Sequence, residues 1–252
     1  MNKEISKIKN FWESIGQSAC PDDVVRDMSI RAISNNIDKD SSLLDLGCGN
    51  GYCTFQFAKL KIKTITGADY SSQSIIHANN ALKIYDNSIS NKIKFVQADA
   101  VNLKFDDHSF DNIITIRCLI NVGEFSNQVA AIKEIYRVLK PGGKYIMCEN
   151  TTTGLHNLNS IRQEVGLEKI ETRWHNQYLD EKLFINEIKK YFEIENVVNF
   201  ASTYYLLTRV IKAWNCNQIG ETPAYNDEFN KMASQIESFG EFSPMKLFIL
   251  KK

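Results

Sequence analysis

Apolar positions along the chain fall into short runs separated by stretches with helical spacing. SSLLDLG (41–47), TITGADY (64–70), IKFVQAD (93–99), FDNIITI (110–116) and GKYIMCE (143–149) are short, rich in β-branched or aromatic residues, and bounded by Gly, Asp or Asn, the pattern of strands. Between them lie amphipathic stretches. Ile75, Ala78, Leu82 and Tyr85 share one face of a helix that Ser71 or Ser72 can cap. Val129, Ile132, Ile135 and Leu139 make the stripe of another, which Pro141 and Gly142 should end. Strand–helix alternation of this kind predicts an α/β fold with a doubly wound parallel sheet.

The pattern loosens after Glu149. A short helix, LHNLNSIRQEVG, precedes the polar loop ETRWHNQY, and an amphipathic helix, LDEKLFINEIKKYF, follows. A core strand is expected near 192–200, a mostly helical segment over 202–240, and a closing strand at 243–252. Residues 1–40 also read as helical. The whole of 1–252 reads as a single domain with no repeat and no low-complexity linker.

Composition narrows the classes. With 30 basic and 30 acidic residues the formal net charge is zero, which argues against an electrostatic grip on nucleic acid or an anionic membrane. No stretch approaches the ~20 apolar residues of a membrane span, and MNKEISKIKNFW does not look like a signal peptide. The six cysteines are scattered with no CxxC pair, so neither zinc nor a disulfide framework is suggested. The chain reads as soluble and cytoplasmic.

LLDLGCGNGYCT (Leu43–Thr54) carries the candidate chemistry. A glycine-rich turn after an apolar strand places a ligand at the strand's C-terminal end, and glycine lets a ligand approach without a Cβ in the way. The spacing is GxGxG, not the GxGxxG of dinucleotide sites. Asp45 lies under the loop, where it would repel a pyrophosphate but suits a ligand with ammonium donors. Asp69 ends the second strand, where a carboxylate accepts from ribose hydroxyls. Asp99 ends the third and could accept from an adenine amino group.

LLDLGCGNGYCT, GADYS, VQADAVNL, FDNIITIRCLIN and IYRVLKPGG, in this order, resemble the class I S-adenosylmethionine-dependent methyltransferases over about 43–150. The resemblance implies a seven-stranded Rossmann-like sheet with its last strand antiparallel, and S-adenosyl-L-methionine as cofactor. Gly47, Cys48, Gly49, Asn50 and Gly51 would face the methionine end, with Asp45 supporting the loop and the amino group. Asp69 beside Tyr70 would hold the ribose, and Asp99 beside Ala100 the adenine. Cys48 reads as filler rather than nucleophile. The tail is similar to a subgroup with a helical cap, tied to small-molecule or surface-glycan modification; 150–178 and 201–240 would then build the acceptor pocket, with 1–40 as a lid over the cofactor-binding core 41–150.

The rival readings are an N-methyltransferase of a small molecule, a nucleotide-binding oxidoreductase and a non-catalytic binding protein on the same fold. Tyr136 and Lys140 match a dehydrogenase Tyr-x-x-x-Lys spacing but sit at a helix end. IRCLIN (116–121) lacks the proline turn of base-modifying enzymes, so nucleic acid is not the expected substrate. No spaced Asp/Asn cluster suggests a metal.

An alcohol acceptor benefits from a base. His175, in the aromatic-flanked RWHNQY loop, is the candidate, with a structural histidine as its alternative. Arg117 and Asn121 follow the fourth strand; Arg117 contacts the acceptor or pairs with the cofactor carboxylate. Glu149 ends the fifth strand. Arg162, Trp174, Asn176, Tyr204, Tyr205 and Arg209 are acceptor candidates, with the two tyrosines alternatively core, and Trp12 and Arg26 could close from the N-terminal segment. So many cations point to an anionic small-molecule acceptor, either phosphate-derived, needing no strong base, or a sugar hydroxyl, needing one.

Overall fold

The computed structural model describes residues 3–15 and 20–252, with backbone alone for residues 3 and 4. Residues 1–2 and 16–19 of the expected lid lie outside the described residues. Seven strands form one sheet in the order β3-β2-β1-β4-β5-β7-β6: β1 Ser42–Leu46, β2 Thr64–Asp69, β3 Ile93–Gln97, β4 Phe110–Ile116, β5 Leu139–Asn150, β6 Glu193–Val198 and β7 Met245–Lys251. The first five pair in parallel. β7 inserts between β5 and β6, antiparallel to both. The doubly wound sheet with a reversed last strand is thus as the sequence suggested.

The central strands alternate between two cores, as period-2 geometry requires. Ile113, Tyr145, Met147, Phe248 and Leu250 pack in the cluster that also holds Ile132, Ile135, Phe184 and Ile188. Ile114, Ile146, Cys148, Leu247 and Ile249 pack in the opposite cluster with Ile33, Phe55, Phe57 and Ala78. The helices are α1 Lys3–Ile15, α2 Asp23–Ser34, α3 Tyr52–Phe57, α4 Ser72–Leu82, α5 Asn87–Ser90, α6 Phe125–Val138, α7 Thr152–Glu164, α8 Glu181–Ile188, α9 Ser202–Leu206, α10 Lys212–Gln218 and α11 Glu228–Ala233. A π-helical turn, Leu207–Ile211, joins α9 to α10. None of the described helices is long and apolar enough to cross a membrane.

Two local expectations need correction. α6 ends at Val138 rather than at Pro141. Leu139 already pairs with Phe110, and Lys140–Gly143 forms an irregularity before Lys144 resumes the register opposite Asn112. Gly142 takes a left-handed φ of 75° there. Second, Gln128 rather than Val129 turns inward on α6, because its amide donates to the Gln177 carbonyl at 2.9 Å.

Two helices that follow β5 are anchored to β7 and its entry. Buried Lys246 on β7 binds both carboxylate oxygens of Glu181 on α8, at 2.7 and 2.8 Å. Gly154 on α7 lies against the chain entering β7: a Cβ there would fall 1.8 Å from the Ser243 carbonyl oxygen. Backbone cannot yield as a side-chain tip can, so Gly154→Ala should destabilise by about 2–3 kcal/mol, read as a lower urea midpoint with an unchanged m-value.

Candidate active site

The C-terminal ends of β1–β5, α1, α2 and the cap enclose one cavity of about 1380 Å³. Its floor is the glycine turn. Gly47 and Cys48 donate their N–H groups to the Ala68 carbonyl at 2.7 and 3.1 Å, and Gly51 closes the turn on the Cys48 carbonyl at 3.0 Å. Gly47, Gly49 and Gly51 all have left-handed φ, of 81°, 55° and 83°, a region other residues enter at a cost. Their surroundings differ. A Cβ on Gly47 would meet Cys118 at 2.8 Å and one on Gly51 the Phe95 ring at 2.7 Å, whereas one on Gly49 would find open space. Packing therefore requires two of the glycines, and Gly51 is not on the cavity wall.

The three aspartates line the cavity, each already engaged. Asp45 is buried, accepts from the Thr54 hydroxyl at 2.5 Å, and is pushed up to about 6 by burial, with Asp69 adding repulsion. Asp69 accepts from the N–H of Gly49 at 2.8 Å and of Ser71 at 2.9 Å, so it fixes both the turn and the start of α4. Burial raises its carboxyl above the usual range. Asp99 binds Lys9 Nζ of α1 at 2.6 Å, and that ammonium lies 4.2 Å from the centre of the Tyr70 ring. Neighbouring contacts hold α1 across the opening: Trp12 Nε1 donates to Asn121 Oδ1 at 3.1 Å, and Glu13 accepts from the Ser72 N–H at 2.9 Å.

His175 also lines the cavity. It is 3% exposed, stacks on Phe11 at 4.4 Å, and its Nδ1 has no hydrogen-bond partner. Burial, with help from Arg173, lowers its pKa, which keeps the imidazole neutral. Asn50, Ala100, Arg117, Asn121, Arg162, Asn176, Tyr205, Arg209, Trp12 and Arg26 share the wall. Arg209 is paired with Asp22, on the entry to α2, and stands 4.5 Å from the centre of the Tyr225 ring. Arg162 donates to the Glu168 carbonyl at 2.8 Å and to that of Arg209.

Three expected acceptor residues are elsewhere. Tyr204 is buried in the packing between α2 and the cap, its hydroxyl donating to Asp22 and accepting from Asn230 at 2.9 Å. Trp174 is on the outer side, 46% exposed, against Phe11 and the Lys7 ammonium. Glu149 is fully buried and turned into the chain after β4, accepting from the N–H groups of Cys118 at 2.8 Å and Leu119 at 3.0 Å. Sequence reasoning missed Lys9, Tyr178 and Asn150. Lys9 carries no local signal, since only the fold brings it to Asp99. Asn150 directly follows Glu149, yet neither it nor Tyr178 stands in a recognisable motif.

Residues 44–147 match the family model described as a methyltransferase domain. Sterol 24-C-methyltransferase erg-4 of Neurospora crassa is 32% identical over 125 residues, 50% of this chain and 32% of that one. Demethylmenaquinone methyltransferase of Staphylococcus epidermidis is 33% identical over 118 residues, 46% of each. The matches thus span less than half the length of these relatives. Among solved structures, a SAM-dependent methyltransferase of Methanosarcina mazei superposes with a TM-score of 0.59 at 21% identity, over 88% of this chain and 96% of that one. The [4+2]-cyclase SpnF gives 0.59 at 20% identity, over 88% and 79%. Residues 44–147 thus match a methyltransferase domain, and the sheet as a whole has the fold of the solved methyltransferase structure.

Glu149 gives this site a pH signature. Burial pushes it up from 4.5 to about 7, so the folded protein keeps that proton to higher pH than the unfolded chain does. Its contribution to stability is therefore full below 4.5 and lost as pH rises towards 7. Relative to Glu149→Gln, wild type should lose up to about 2–3 kcal/mol between pH 5 and pH 8, measured by urea unfolding of both proteins across that range.

Proposed function

We propose that the chain catalyses S-adenosylmethionine-dependent methyl transfer to an oxygen of a small, anionic acceptor held between the sheet and the cap. The observation that carries this reading is that one cavity brings together carboxylates at the ends of β1, β2 and β3, a neutral, buried histidine, and the partnerless guanidinium Nε of Arg117 after β4. The donor supplies a methyl group already activated on sulfonium. Gly49 leaves room for its methionine end. Asp45 and Asp69, two carboxylates that repel each other, would gain from an ammonium placed beside them. Asp69 would also hold the ribose, and Asp99 the adenine amino group once Lys9 lets go.

Positioning supplies much of the rate in such a displacement. The chain's own contribution is then exclusion of water by α1 and the cap, orientation of the acceptor, and removal of a proton where the acceptor is a hydroxyl. His175 Nδ1 is suited to that last step, being neutral, buried and free to accept. A phosphate-derived or sugar-linked acceptor fits the arginines equally well. The curated relatives named for sterol and menaquinone chemistry do not decide this, because the matched family region ends at Met147, before the cap begins.

Calorimetric titration with S-adenosylhomocysteine beside NAD tests the donor: micromolar binding of the first and none of the second is expected. The reverse result would make the chain an oxidoreductase, and binding of neither would leave no case for a methyltransferase. Asp69→Ala should weaken S-adenosylhomocysteine by about tenfold or more, because it removes a ligand contact and unties Gly49. With an acceptor in hand, His175→Gln should lower kcat by about 10²–10⁴-fold at little change in cofactor affinity. An unchanged kcat would assign His175 to packing against Phe11 alone.

A further inference from the structure

Arg117 is the most unusual group in the cavity. It follows β4 directly and has a left-handed φ of 52°, a conformation a long side chain rarely takes without cause. Both sides of its peptide unit are pinned. Its N–H donates to the Cys148 carbonyl at 2.9 Å, and its own carbonyl accepts from the Asn121 amide at 2.8 Å. The backbone is thus bent to aim the side chain into the cavity that Arg117 lines. There its Nε is buried with no hydrogen-bond partner, and no carboxylate of the described residues forms an ion pair with it. A buried guanidinium is costly without an anion.

The direction of that charge separates it from the donor end. Arg117 acts on Cys53, Cys148 and Tyr178 and is itself acted on by Tyr205. Asp45 instead responds to Asp69, and Asp69 to Glu13. Glu149, the buried acid nearest in sequence, is spent on the N–H groups after β4. A second guanidinium faces the same space. Arg26 of α2 also acts on Cys53, lines the same cavity, and has a buried Nε without a partner. One of its outer nitrogens pairs with Asp23 at 2.8 Å, and its guanidinium lies 3.9 Å from the centre of the Tyr52 ring, which fixes its plane. Arg209 and Arg162 are taken up by Asp22 and by backbone carbonyls, and unlike Arg26 neither has a buried nitrogen without a partner.

We infer that Arg117 and Arg26 together form an anion seat for a carboxylate or phosphate group of the acceptor, with Tyr178 and Tyr205 beside it. This deepens the reading of an anionic acceptor and rests on it. The seat assigns Arg117 to the acceptor, away from the cofactor carboxylate. Planar guanidinium groups match both oxyanions bidentately, and the neighbouring phenol rings suit an acceptor whose charge is attached to a ring or an unsaturated chain.

Benzoate and phenyl phosphate serve as probes, titrated calorimetrically into wild type, Arg117→Gln and Arg26→Gln, each with and without saturating S-adenosylhomocysteine. The expected result is binding of at least one probe to wild type with a Kd of about 1 mM or tighter. Arg117→Gln should weaken it about tenfold or more and Arg26→Gln several-fold, while S-adenosylhomocysteine affinity stays within about twofold. Tighter phenyl phosphate assigns the seat to phosphates, tighter benzoate to carboxylates. Failure of both probes on wild type overturns the inference, as does equal probe binding in the variants. Loss of S-adenosylhomocysteine binding in folded Arg117→Gln also overturns it, returning that residue to the cofactor. Should Arg117→Gln not fold by circular dichroism, Arg117→Lys and Arg26→Gln decide by the same criterion. Probe binding with this variant pattern, but no S-adenosylhomocysteine binding to wild type, would keep the anion seat and end the methyltransferase reading. The opposite pattern would keep the methyltransferase and end the seat.

Discussion

The Asp69 carboxylate ties together the parts on which the site depends. One oxygen receives the N–H of Gly49 and the other that of Ser71, so a single side chain at the end of β2 sets the glycine turn and the first turn of α4. The turn has little freedom elsewhere. It hangs from the Ala68 carbonyl, with Cys118 against Gly47 and Phe95 against Gly51. β1, β2, β3 and the segment after β4 therefore meet at one point, and the open place above it is Gly49. Because Asp69 already holds two backbone donors, whatever it offers a ligand comes from a carboxylate whose orientation is fixed beforehand.

The chain's formal neutrality is repeated within the cavity. Carboxylates stand at the ends of the first three strands, while towards α2 and the cap the guanidinium groups of Arg26, Arg162, Arg173 and Arg209 line the wall together with Asp22, Glu168, Glu171 and Glu221. Each side has an internal counter-ion: Lys9 on Asp99 and Asp22 on Arg209. The first is partly solvated, with side chains 18% and 32% exposed, and pairs of that kind hold weakly. The second is buried in a network with Tyr204 and anchors the cap to α2. α1 is thus fastened loosely over Asp99, and α2 firmly against Arg209.

The fold was legible because its signals are local. Buried parallel strands write themselves as apolar runs, and the glycine turn follows β1 without a gap. The acids at 45, 69 and 99 were legible for the same reason, each ending a strand. What stayed hidden depends on distant segments. Lys9 reaches Asp99 across 90 positions, and nothing in KIKNFW announces it. Tyr204 and Tyr205 are adjacent in sequence, yet the first turns into packing and the second into the cavity, a choice made by the helix face and not by residue type. Glu149 misleads for a physical reason. It ends a central strand as the other acids do, but the turn after β4 presents unpaired N–H groups, and a buried carboxylate satisfies them.

The same turn explains why β4 and β5 differ in role from β1–β3. After the first three strands the chain leaves acids open to the cavity. After β4, Glu149 absorbs the backbone donors of Cys118 and Leu119, and Asn121 absorbs the carbonyl of Arg117. With its backbone thus satisfied on both sides, the segment can hold Arg117 in a left-handed conformation and leave its guanidinium uncommitted. Glu149 is then a support for the turn, while Arg117 remains exposed to whatever enters. The SpnF likeness adds a constraint of its own: a cyclase shares this sheet, so the sheet alone does not select a reaction. Among the described residues of the cavity wall, the buried side-chain atoms left without a partner belong to Arg26, Arg117, Asn127, Asn150 and His175.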